Sequence, residues 1–383
     1  MKFSLICNFM GKLRLLLLNS SAIYGGGEYY VQQLAKHLKN RGHTVIIGCR
    51  ENKTLYNKCI AEDIMAEHID FGENGSKNLI RNLKRIKQLA LDKSVQIIHT
   101  NTGNDRTAGA VAARLAKAAH VTSCHSLLSI SRNLTHRYRN KNLTNAFIAD
   151  GETIKKLLVE KDNIDAGKIC VINNGINPAE MVRDENSRRK IRQQFRISES
   201  DIVIGNTARF VYFKGQKYLL TAFASLCEKI KNVKLMLVGD GEWQKDLQSY
   251  AMILNISQNV IFAGFRDDLR EYYSAFDIYV QPSLDGGGEL FPFTVLYAMA
   301  QKLPVIATNI GDLPVMVEDG KSGLIVEEKS PYRIAESLET LVNNSELRLK
   351  FGRAGYEKLL CEYTIDKMID KTEKLYYNVL KTE

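Results

Sequence analysis

The sequence predicts an α/β protein built from two doubly wound domains, each a parallel sheet covered by helices on both faces. Short β-branched and leucine-rich runs alternate with helical patterns in both halves, as parallel strands joined by helical crossovers require. The chain has 383 residues, whereas a domain usually takes about 150. A polar stretch from Asn177 to Asp201, rich in Arg, Glu, Asn and Ser, interrupts the alternation near the middle.

Leu13 to Leu18 reads as a buried first strand, because a membrane-spanning helix needs about 20 apolar residues. Lys12 and Arg14 interrupt this run and no clear small-residue cleavage site follows, so it does not read as a leader. The nine residues before Met10 read as an extension without structure. Strands are then expected at 44–48, 95–99, 121–124, 146–149 and 169–172 in the first half. In the second they are expected at 202–206, 234–238, 260–263, 278–281, 305–307 and 324–326. After Pro331 only helical pattern remains, ending in a helix over 364–380. The expected organisation is a first domain over 1–180, a linker over 181–200, a second domain over 201–360 and a terminal helix over 361–383 at the domain junction.

Hydrophobic residues make up 45% and charged residues 25% of the chain, which suits a large buried core and excludes disorder. The seven cysteines are scattered and never form a CxxC pair, which fits a reducing cytosol and offers no structural zinc. The net charge of +10 is one-sided. Residues 1–180 hold 26 Lys and Arg against 15 Asp and Glu, and the remainder holds 27 against 28. A basic first half points to an anionic partner, whether nucleic acid, a membrane face or a phosphorylated or acidic acceptor, although solubilising lysines would look the same. Leu79, Leu83, Ile86 and Ala90 share a helical face while Lys77, Arg81, Lys84, Arg85 and Lys87 lie around the rest. That helix suits membrane docking or simple packing on a sheet. The basic cluster Arg132, His136, Arg137, Arg139 and Lys141 reads as a loop. Aromatics are not interleaved with these cations, so nucleic-acid binding is disfavoured.

In open α/β sheets ligands bind beyond the carboxyl ends of the strands. After the first strand comes Tyr24-Gly25-Gly26-Gly27-Glu28 and a helix, which admits an anion at the helix start or serves as a tight turn alone. The second half opens with a strand followed by Ala208 to Gly215. Its Arg209 offers a planar fork and Lys214 a point charge, a pair suited to pyrophosphate, though surface charges without a ligand would look alike. Val238-Gly239-Asp240-Gly241-Glu242 is a further glycine turn. The loop Pro282 to Glu289 brings carboxylates that accept hydrogen bonds from sugar hydroxyls. Together they describe a pocket for a phosphorylated sugar. No HExxH, GxSxG, Walker loop or EF-hand is present, and the histidines show no metal-ligand spacing.

In one chain and in this order stand GGGEYYVQQLAKHLKNRGHTVII from Gly25, the strand-end His125, INNGIN from Ile172 and ARFVYFKG from Ala208. LVGDGEW and the run from FAGFRDDL to NIGDLPVMVEDGKSGLIV follow. This series resembles the retaining glycosyltransferases of family four, with the GT-B fold of two Rossmann-like domains facing each other across a cleft and a C-terminal helix crossing back. The resemblance implies a nucleotide-sugar donor, such as a UDP-sugar, held mainly by the second domain. It implies an acceptor held mainly by the first: a lipid-linked or envelope glycan such as lipopolysaccharide core.

By that likeness His125, Arg209, Lys214 and Glu289 are the catalytic set. Arg209 and Lys214 grip the diphosphate, Glu289 meets sugar hydroxyls and His125 lies by the sugar ring. Gly26, Gly27, Gly239, Phe265, Arg266, Leu290, Phe291 and Tyr297 would complete the donor site, and Glu28, Asn101 and Arg132 would face the acceptor. No metal and no cofactor are implied, since the nucleotide sugar is a substrate and cations stabilise its leaving diphosphate. The expected place of work is the cytoplasmic face of the plasma membrane.

The chain departs from the family at one position. The family carries two glutamates separated by seven residues, and the second falls on Tyr297 here. That leaves two alternatives, a GT-B subunit that binds a sugar nucleotide or supports a partner enzyme without turnover, and a nucleotide-sugar epimerase.

Overall fold

The computed structural model describes residues 11–51, 53–71, 78–286 and 288–381. The chain divides into two compact units, one of residues 1–173 with 368–383 and the other of residues 174–367. The extension before Met10 and Lys77 of the basic helix lie outside the described residues.

The first unit holds strands β1 (Arg14–Leu18), β2 (Thr44–Cys49), β3 (Met65–His68), β4 (Ile97–Thr100), β5 (Ala119–Cys124), β6 (Ala146–Ala149) and β7 (Ile169–Val171). They form one parallel sheet in the order 3-2-1-4-5-6-7. The second unit holds β8 (Ile202–Thr207), β9 (Val233–Val238), β10 (Val260–Gly264), β11 (Ile278–Gln281), β12 (Val305–Thr308) and β13 (Gly323–Val326), in the order 10-9-8-11-12-13. Both sheets reverse direction beside their first strand, between β1 and β4 and between β8 and β11. Strands covered on both faces read as continuous apolar runs, and Leu15 to Leu18 are accordingly fully buried. The doubly wound α/β architecture is therefore present twice. The expected strands appear, and β3 is added to them. Its sequence, MAEH, is short and polar because it forms a sheet edge.

The segment 181–200, read from sequence as a linker, belongs to the second unit and carries a helix, Glu185–Gln194. Its polarity comes from ion pairing. Arg188 and Arg192 reach the two oxygens of Asp277 at 2.9 and 2.7 Å, and Arg192 is only 1% exposed. The basic cluster near residue 136 is also helical, with an α-turn over Leu134–Tyr138 followed by a π-turn over Arg139–Leu143. In the basic helix, Leu79–Asp92, residues Ile86, Leu89 and Ala90 are buried in the first core with Leu79 and Leu83 packed against them. Arg81 pairs with Asp70 and Arg85 with Glu67, so the apolar stripe serves sheet packing. No helix among the described residues is long and apolar enough to cross a membrane.

The last helix, Ile365–Lys381, belongs to the first unit from Met368 onward. Buried Glu373 accepts from His43 Nε2 at 2.6 Å and from Arg41. His99, at the end of β4, lies between the Tyr376 hydroxyl at 2.6 Å and the Ser123 hydroxyl at 2.7 Å. Burial, aided by nearby His125, drives the His99 pKa down to about 3, so it works as a neutral hydrogen-bonding bridge.

Burial alone would push the Glu373 carboxyl up, but its bonds from His43 and Arg41 outweigh that and hold it below the ordinary 4.5. A depressed carboxylate stabilises the fold above its unfolded pKa and loses that contribution as pH falls through the folded value. Glu373→Ala should therefore weaken the first unit by about 3 kcal/mol at neutral pH. Denaturant melts should show the gap between wild type and variant closing below pH 4.5.

Candidate active site

At the carboxyl ends of β8, β9, β11 and β12 the second unit gathers several tight loops. Gly215 sits at φ +70°, and a Cβ there would collide with the carbonyl oxygen of Pro282; Gly239, at φ +138°, lies equally close to the carbonyl of Ala208. Only glycine combines these backbone angles with that approach. The loops so joined carry Lys214 and Glu289 into contact. Glu289 is 7% exposed, and its Oε2 accepts from the Lys214 ammonium, from Gln281 Nε2 at 2.9 Å and from Ser283 Oγ at 2.8 Å. Gln281 is oriented in turn by the Tyr279 hydroxyl at 2.8 Å and by Thr294 Oγ1 at 3.2 Å. The carboxylate is thus fixed by a chain of buried hydrogen bonds, with the largely buried Lys214 as its cation.

Arg209 is exposed, and its side chain makes no hydrogen bond or ion pair among the described residues. Its guanidinium is available to a ligand. Phe265 is also exposed, while Arg266 donates to the carbonyl of Ala263 and lies over the Tyr272 ring. Leu290 and Phe291 have buried side chains, the latter against Tyr363, so any ligand contact from them would come from the backbone ahead of the helix Phe293–Ala300. Tyr297 is buried with its ring edge toward Tyr273, 5.9 Å between centroids. The position where the family places its second acid is occupied by an aromatic cluster.

The first unit has a cavity of about 760 Å³ lined by Gly27, Glu28, Asn101, His125 and Arg132, residues assigned from sequence to the donor, the sugar ring or the acceptor. Gly26, the first residue of the helix Gly26–Asn40, is beside this group but outside the lining. An added Cβ at Gly27 would meet open space, so the glycine leaves the wall recessed. Glu28 is committed to the loop, since its carboxylate accepts from Gly25 N at 2.9 Å and Asn19 Nδ2 at 3.2 Å. His125 stands at the end of β5 with Tyr30 packed edge-on at 4.6 Å and Nδ1 3.5 Å from Asp150. Among the described residues its Nε2 is buried without a hydrogen-bond partner. Asp150, at the end of β6, fixes the ring and leaves Nε2 for a ligand.

Residues 24–180 match the family described as "Glycosyltransferase Family 4", and residues 187–358 match "Glycosyl transferases group 1". The chain belongs to this glycosyltransferase family. The chain is 26% identical over 307 residues to an uncharacterized glycosyltransferase of Methanocaldococcus jannaschii, covering 76% of this chain and 77% of that one. It is 31% identical over 168 residues to the lipopolysaccharide core biosynthesis glycosyltransferase LpsE of Rhizobium meliloti, covering 44% of this chain and 47% of that one. That match spans about half the length of the rhizobial protein. The crystal structure of Anabaena HepE in complex with UDP superposes with a TM-score of 0.85 at 21% identity, covering 96% of this chain and 100% of that one. The glycosyltransferase thus has the two-domain GT-B fold.

Several residues of these sites escape sequence reading. Asp150 follows a predicted strand, so the strand-end rule reaches it, but its partnership with His125 depends on the order of β5 and β6. Gln281 and Ser283 look like ordinary polar residues until Glu289 folds back on them. Arg106, buried in the cavity wall, carries no sequence signal beyond its charge, and Arg139, buried there too, stands out in the sequence only within a basic cluster that reads as a loop. Gln281→Ala should destabilise the second unit by about 1–3 kcal/mol, because it removes the buried amide that donates to Glu289 Oε2 and accepts from the Tyr279 and Thr294 hydroxyls. Urea unfolding followed by the second unit's single tryptophan, Trp243, measures this.

Proposed function

We propose that this glycosyltransferase moves a sugar from a nucleotide diphosphate sugar, a UDP-sugar, to a lipid-linked or cell-envelope glycan with retention of anomeric configuration. The observation that carries the reading is the Glu289 carboxylate, buried and triply bonded, with Lys214 as its cation and Arg209 exposed on the same loop system. A buried ion pair contributes little net stability for its desolvation cost. An enzyme gains from it when a ligand replaces one partner. In this reading the donor diphosphate takes the Lys214 ammonium and the Arg209 fork, and the freed carboxylate accepts from hydroxyls of the donor sugar.

The bond from the anomeric carbon to the diphosphate oxygen breaks, and the acceptor hydroxyl oxygen attacks from the same face. The acceptor's proton passes to the departing phosphate oxygen. Charge that grows on the diphosphate is met by cations already in place, so no metal is assigned to the step. His125, held by Asp150, presents Nε2 at the wall of the first unit's cavity. UDP in the Anabaena structure and the envelope role in the name of the rhizobial relative favour this donor and acceptor class. The surplus of cations in residues 1–180 favours work at an anionic membrane surface.

Tyr297 favours the second reading, a subunit that binds donor without transfer. Calorimetric titration of UDP-sugars alongside a transfer assay with lipid-linked acceptors separates the two. Release of UDP that depends on acceptor is the expected outcome, and donor binding without release would favour the second reading. Lys214→Ala should lower turnover by about 100-fold or more; wild-type turnover in that variant would remove Lys214 from the mechanism.

A further inference from the structure

We propose that the 760 Å³ cavity of the first unit binds a phosphate group carried by the acceptor, gripped by Arg106, Arg132 and Arg139. This rests on the transfer reading above and names the chemistry of its acceptor. The charges on the wall do not balance. Three arginines and two histidines, His125 and His136, face one carboxylate, Glu28, which is occupied in the loop before the helix Gly26–Asn40.

Arg106 and Arg139 are both buried. Arg106 donates to Thr122 Oγ1 at 3.1 Å and to the carbonyl of Ser123 at 3.0 Å, with a longer contact to Cys124 Sγ at 3.9 Å. Its Nη1 makes no hydrogen bond among the described residues. Arg139 donates to Asn140 Oδ1, Thr107 Oγ1 and the carbonyl of Ile130, at 2.8–2.9 Å. All these acceptors are neutral. Asp105 and Asp162 lie near enough to Arg139 to favour its charge, but their oxygens take bonds from Thr102 and from Ser129, Ile130 and Ser131. The contrast with Arg192 is instructive: where an arginine is buried for structure alone, the fold pairs it directly with Asp277.

A buried cation without a direct counterion is costly, and burial, with Arg106 adding repulsion, lowers the Arg139 pKa to about 10. Anion binding removes that cost. Phosphate fits better than a neutral hydroxyl because its oxygens accept from several guanidinium forks at once. Two further ring nitrogens on the wall, His125 Nε2 and His136 Nδ1, are buried without partners among the described residues. Such orphans are rare unless a ligand or water completes them. Leu128 in the lining and Leu134 beside it remain 61% and 80% exposed, an apolar rim suited to a lipid-borne phosphate.

The test is calorimetric titration of the full chain, first saturated with UDP, by inorganic pyrophosphate. Saturable binding is expected, and Arg132→Ala and Arg106→Gln should each weaken it about tenfold. Arg132 is exposed, so its variant should fold even if Arg106→Gln does not. No saturable binding, or equal binding in wild type and Arg132→Ala, overturns the proposal. Failure of UDP itself to bind counts against the donor assignment instead and leaves the arginine effect readable. Competition by vesicles containing a polyprenyl phosphate assigns the phosphate to a lipid, and competition by glucose 6-phosphate alone assigns it to a soluble sugar. Competition by neither overturns the acceptor assignment.

Discussion

Glu289 is a carboxylate taken almost wholly out of water at the carboxyl end of a parallel sheet. Its burial is tolerable only because Lys214, Gln281 and Ser283 converge on one of its oxygens. That requirement organises the second unit. Gln281 must end β11 with its amide turned by Tyr279, and the loop 282–289 must fold back over it. Gly215 must leave room for the carbonyl of Pro282, which brings the loop after β8 close enough for Lys214 to arrive. Each element is unremarkable alone, and the charge they enclose accounts for their arrangement.

The first unit follows the same logic with the opposite sign. Its cavity is walled by guanidinium groups that the protein has left with neutral partners, while the carboxylates nearby are spent on loops. The last helix contributes no charge to that wall. It returns to the first unit to satisfy His43 and His99 behind it, through Glu373 and Tyr376. Anchoring groups and groups open to a ligand are therefore distinguishable by whether their hydrogen bonds close within the protein.

Much of the fold was legible in the sequence because parallel strands buried on both faces leave continuous apolar runs, as in Leu15 to Leu18. β3 was not, since an edge strand of four residues with Glu67 and His68 carries no such run. The helix Glu185–Gln194 looked like a linker because its stability comes from arginines meeting Asp277, about ninety residues away, which no local pattern reveals. At the site, Arg209, Lys214 and Glu289 were marked by their places after strands and by glycines. Their partners Gln281 and Ser283 were not, and neither was Arg106; Arg139 was marked only as one of a basic cluster, and the meaning of both arginines depends on what does not pair with them. Tyr297 was legible as a departure, and its burial against Tyr273 gives that departure a structural setting.

In the proposed reaction Glu289 holds Lys214 until the donor arrives and then yields it to the diphosphate. The affinity of UDP without its sugar, compared among wild type, Lys214→Ala and Glu289→Gln, reads this exchange. Binding should weaken in Lys214→Ala and be as tight as wild type or tighter in Glu289→Gln, where the ammonium no longer has to leave a carboxylate. Equal weakening in the two variants, or none in Lys214→Ala, would contradict the exchange.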